Sequence, residues 1–79
     1  MIVRYYTLVL VMDGIAKILE EQYSNREQAT LCRAGDINVK CPTPIVISLQ
    51  QFMKALATAR EVRIIERSER SIVFEVIPY

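Results

Sequence analysis

What most narrows the fold of this 79-residue chain is that its strand-forming segments are apolar on both faces. Residues 2–12 are rich in β-branched and aromatic side chains, the types that suit a pleated strand. Successive side chains of an extended chain point to opposite sides. Val3, Tyr5, Val9 and Val11 therefore share one face, and Ile2, Tyr6, Leu8, Leu10 and Met12 share the other. Near the C-terminus Ile72, Phe74 and Val76 oppose Val73 and Ile77 in the same way. An antiparallel sheet with one wet face alternates apolar and polar residues, and these segments do not.

The punctuation between the apolar runs sets the order of elements. Asp13-Gly14 is the dipeptide that best tolerates the positive φ angles of a tight hairpin turn, which predicts a return strand over residues 15–23. Ile15, Ile18, Leu19 and Gln22 in that stretch also fit a helical period. Ser24 and Glu27 stand at the N-cap and N3 spacing of a capping box, and Gly35 sits where a left-handed residue ends a helix. A helix is thus predicted over residues 25–34. Ile37, Val39 and Cys41 alternate as a short extended segment, and Pro42 and Pro44 withhold two ladder donors, so it reads as an edge or crossover. Leu49, Phe52, Met53 and Leu56 mark one face of a second helix. It starts either at the capping box Ser48-Leu49-Gln50-Gln51 or earlier at Thr43-Pro44, which would draw residues 45–47 into it. Residues 61–67 and 70–77 form a second hairpin turning on Ser68-Glu69. The order is ββα(β)αββ, an α+β class: one compact domain over residues 1–79, with a mainly antiparallel sheet of four to five strands and two short helices packed on one face.

Composition excludes several function classes. Ten Lys/Arg against nine Asp/Glu give a formal charge of +1, with no net field to gather phosphates or an anionic membrane surface. No apolar run approaches the roughly 20 residues of a membrane span, and no basic n-region opens the chain, so a cytoplasmic location and no membrane partner are expected. The chain has no histidine, which removes the commonest general base and neutral metal ligand. Gly14 and Gly35 belong to turns, leaving no glycine-rich phosphate loop. Asp13, Glu20, Glu21, Glu27 and Asp36 all have structural positions in turns, caps or strands. These residues imply no catalytic constellation, no metal and no cofactor.

Cys32 and Cys41 are expected as reduced thiols, since no secretory signal is read. Cys41-Pro42-Thr43-Pro44 has two readings. Ahead of a helix N-terminus and beside Lys40, Cys41 would have its thiolate favoured and be a reactive thiol. Otherwise it is a small apolar residue whose neighbouring prolines break a strand. Residues 36–56 resemble the sulfur-relay carrier family, whose Cys-Pro-x-Pro motif opens its first helix. The resemblance implies a persulfide carried on Cys41.

Two short helices cover one face of a sheet of this size, so the second apolar face needs another cover. A curled sheet or overlying tail would supply it within the chain, and a second copy or another protein would supply it by association. Association makes this a small non-enzymatic module that binds another protein as an accessory or inhibitor, and a homodimer joined through strand surface. Gln50, Gln51 and Lys54, with Arg63, Arg67 and Arg70 of the last hairpin, are the candidate partner contacts. The alternatives are a nucleic-acid-binding regulator using that arginine-bearing hairpin and a sulfur carrier using Cys41.

Overall fold

A computed structural model describes all residues from Met1 to Tyr79. β1 (Val3–Val11) and β2 (Gly14–Tyr23) form the first hairpin, and α1 (Arg26–Arg33) follows. β3 (Ile45–Ile47), α2 (Leu49–Ala57), β4 (Ala59–Arg67) and β5 (Ser71–Pro78) complete the chain. The strands make one five-stranded sheet in the order β3-β2-β1-β5-β4, with every neighbouring pair antiparallel. No helix is long and apolar enough to cross a membrane.

The α+β class, the antiparallel sheet and the two helices agree with the sequence reading, but the placing of both helices on one face does not. Ala29 and Cys32 of α1 pack with Val3, Tyr5, Tyr23, Val73 and Ile65. Phe52, Ala55 and Leu56 of α2 pack with Tyr6, Leu8, Ile18, Val76 and Phe74. Adjacent residues Tyr5 and Tyr6 thus belong to cores on opposite sides of β1, and each helix covers a different face. The connectivity explains it. α1 precedes the edge strand β3, whereas α2 leaves β3 and reaches β4 at the far edge, crossing the other face. At 1.5 Å per residue, α2 spans about 13 Å, most of the roughly 19 Å width of five strands spaced about 4.8 Å apart. The two-faced strands are therefore covered largely within the chain.

Local signals shift by a residue or two. The two-residue turn of the first hairpin is Met12-Asp13, because Val11 pairs with Gly14. Only Gly14 needs a positive φ, and Ala16 is the extra residue of a bulge opposite Val9 and Leu10. The N-cap of α1 is Asn25, not Ser24: its side chain accepts from the Gln28 amide, while Gln28 Oε1 accepts from the Ser24 amide at 2.6 Å. At the other end Gly35, at φ +80°, donates to Cys32 O, and the Asp36 amide donates to Leu31 O, so a glycine-closed turn ends the helix. The short strand forms at residues 45–47, beyond the prolines, and not at 36–41. This leaves the Ser48 capping box, with both of its hydrogen bonds made, to start α2.

Cys32 and Cys41 are joined in a disulfide, and the expectation of two reduced thiols is corrected. That expectation rested on compartment; the turn at Gly35 instead folds the chain back and brings the sulfurs together. The bridge ties the last turn of α1 to the connection leading into β3. Closing a ring of about ten residues restricts the unfolded chain enough to stabilise the fold by about 2.5–3 kcal/mol. Adding reductant, or making the Cys32→Ala, Cys41→Ala pair, should lower thermal stability accordingly. Amide exchange should quicken first in α1 and residues 34–44.

Candidate functional site

One charged side chain lies in the core, and the most structured polar site of the molecule is built around it. Glu75, 4% exposed, sits in β5 on the face that carries α1. Strand register places Tyr5 of β1 on one side of it and Arg63 of β4 on the other. The Tyr5 hydroxyl donates to Glu75 Oε2 at 2.8 Å, and Arg26 Nη2 donates to Oε1 at 2.9 Å. Arg63 Nε stands 3.8 Å from Oε1. From α1, spacings of four and three put Arg26, Thr30 and Arg33 along one side of the helix. Arg26 also comes within 3.7 Å of Glu61, while Arg33 pairs with Glu66 and lies 5.4 Å over the Tyr5 ring. Tyr5, Arg26, Thr30, Arg33, Arg63 and Glu75 line an open concavity of about 470 Å³ between α1 and β4.

The electrostatics hold protons in place and do not poise them for transfer. Burial, reinforced by the hydrogen bond to Glu75, pushes the Tyr5 hydroxyl up to about 12. Two further phenols have the same arrangement. Tyr6 donates to Glu20 at 2.7 Å and Tyr23 to Glu21 at 3.0 Å. Burial first, and the carboxylate second, raises Tyr6 and brings Tyr23 to about 12. No group of three or more His, Cys, Asp or Glu side chains is placed to hold a metal ion. The site offers guanidinium donors and one satisfied carboxylate, which bind charge.

The residues singled out from the sequence lie on separate elements. Gln50 and Lys54 are exposed on α2, and Gln51 is occupied by the capping box. Arg63 faces Glu75. Arg67 pairs with Ile72 on the opposite face, and Arg70 is in the turn, where its carbonyl accepts from the Leu10 amide at 2.7 Å. No hydrogen bond or ion pair joins the α2 group to the hairpin group. Cys41 has no helix start beside it, because α2 begins at Leu49, and its sulfur is bonded to Cys32. Sequence reasoning missed the cluster of Tyr5, Arg26, Arg33 and Glu75. The signal for it was Glu75 itself, a carboxylate on the strand face that also carries Val73 and Ile77.

Comparison of the chain with protein-family models, with curated proteins and with solved structures found no match.

Proposed function

We propose that the chain is a non-enzymatic protein-binding module, of accessory or inhibitor type, that works as a homodimer joined edge to edge through β4. The observation that carries this reading is the outer edge of β4, which has no partner strand while its residues Val62 and Ile64 stay 42% and 51% exposed. An unpaired edge flanked by apolar side chains is a template for strand addition. The helices now account for the two apolar faces, so support for a dimer passes from the faces to this edge.

Charge selects the register. Ile65 is the extra residue of a bulge in β4, so pairing two copies of β4 antiparallel about a two-fold axis at Ile64 sets Arg63 of one copy opposite Glu66 of the other, twice, on the α1 face. A two-fold at Arg63 instead opposes Arg63 to itself and Glu61 to Glu66, which like-charge repulsion disfavours. Such a dimer would present two α2 surfaces, each with Gln50 and Lys54, to a further protein. A basic ribbon for nucleic acid needs its arginines along one face, and Arg63 and Arg67 lie on opposite ones.

Sedimentation equilibrium is expected to report twice the 9.1 kDa chain mass in the micromolar range. Ile64→Lys, which sets two ammonium groups together at the axis, should return it to the chain mass with an unchanged far-ultraviolet spectrum. A wild-type chain that stays at 9.1 kDa throughout would sink the reading.

A further inference from the structure

We propose that the concavity between α1 and β4 binds a doubly charged phosphoryl group on Arg26, Arg33 and Arg63. Three guanidinium groups and one carboxylate, Glu75, line it, and the acids that balance the other two charges, Glu61 beside Arg26 and Glu66 beside Arg33, lie outside its walls. Glu75 cannot move to neutralise more of the guanidinium groups. It is buried, one oxygen takes the Tyr5 hydroxyl, and the other takes Arg26. The remaining acids nearby, Glu61 and Glu66, have side chains 46% and 56% exposed and stand at the rim.

The donors are mostly free. Each guanidinium offers five N–H groups. Arg26 and Arg33 each give one hydrogen bond to a carboxylate, and Arg63 gives none. Donors arriving from a helix on one side and a strand on the other suit a tetrahedral oxyanion better than a planar carboxylate. Both walls are fixed, α1 by its disulfide and by Glu75, β4 by its ladder to β5. With a net charge of only +1 the chain has no long-range attraction for anions, so recognition depends on these contacts.

The test is a titration of ¹⁵N-labelled protein with inorganic phosphate at constant ionic strength, following the arginine Nε–H signals, with chloride as control. Saturable shifts are expected at Arg26, Arg33 and Arg63 and not at Arg70. Losing one charge-assisted contact in Arg63→Gln should weaken binding about tenfold. Unfolding without phosphate should barely change, since Arg63 makes no hydrogen bond. The Ile64→Lys variant, which releases Arg63 from Glu66 of the second copy, should bind at least as tightly as wild type does, which separates this site from the dimer. O-phosphoserine and a short phosphoserine peptide identify the source: tighter binding of the free amino acid points to a small metabolite, tighter binding of the peptide to a phosphorylated protein. Shifts that stay linear, an equal response at Arg70, wild-type affinity in Arg63→Gln or lost affinity in Ile64→Lys would each overturn the assignment.

Discussion

Replacing Glu75 by alanine is expected to destabilise the fold by about 2–4 kcal/mol, because it strips the buried Tyr5 hydroxyl of its acceptor, unpairs the half-exposed Arg26 and leaves a gap in the core. Two donors lose their common acceptor at once, the buried Tyr5 hydroxyl and Arg26, and Arg63 loses the carboxylate 3.8 Å from its Nε. α1 suffers most, since Ala29 is its one fully buried residue and the Arg26–Glu75 pair ties its first turn to the sheet. Tyr5→Phe removes the hydroxyl and its bond together and should cost only about 1 kcal/mol. If Glu75 acts as a shared anchor, the double variant will be no more than slightly worse than Glu75→Ala alone. Urea unfolding of the four proteins measures the coupling. Strict additivity of the two losses would show that Tyr5 and Glu75 contribute independently, and the account of the cluster as a single unit would then be wrong.

Periodicity made the strands legible, and caps made the helices legible, because both are local. Gly35 and the Ser48 capping box act within a few residues, so they appear in the structure as the sequence implies. The side of the sheet each helix takes is not local. It depends on β3 lying at one edge and β4 at the other, which follows from which strands pair, and no spacing in the sequence records that. The same holds for the site. Tyr5 and Glu75 are brought together by strand pairing over nearly the whole chain, and Arg26 reaches them only because α1 lies on that face. The cysteines show the opposite failure. They are close in sequence and the turn at Gly35 brings them within bonding distance, whereas an expected compartment says nothing of that geometry. A disulfide is at odds with the reducing cytosol expected for the chain, and the bridge is the observation that weighs more. Cys-Pro-Thr-Pro placed a helix start where the structure has an extended connection, so the thiol carrier loses both its dipole and its free sulfur.

Alkali should unfold the protein cooperatively between about pH 10 and 12, and tyrosine ionisation drives it. Tyr5 and Tyr23 have their hydroxyls pushed up to about 12, and Tyr6 is raised as well, from an ordinary value of 10.0. The folded state holds these protons where the unfolded chain releases them. Above the ordinary value the unfolded state therefore binds fewer protons, and stability falls as pH rises. Below it both states are protonated and the contribution is fully present. Each tyrosine steepens the fall by up to about 1.4 kcal/mol per pH unit, so the three together reach about 4 kcal/mol per unit. Over the roughly two units between the ordinary and the raised values this amounts to about 8 kcal/mol, which exhausts a fold in the lower half of the ordinary range of about 5–15 kcal/mol. Tyrosinate absorbance and far-ultraviolet circular dichroism, followed through the same titration, should change at one midpoint. Because Tyr6 lies under α2 and the other two lie under α1, a single transition would also mean that the two cores fail together. Phenol ionisation completed while the sheet spectrum stays intact would show instead that the tyrosine–carboxylate bonds open without unfolding. Replacing Tyr6 by phenylalanine removes one of the three ionisations and should make the alkaline transition shallower by about a third.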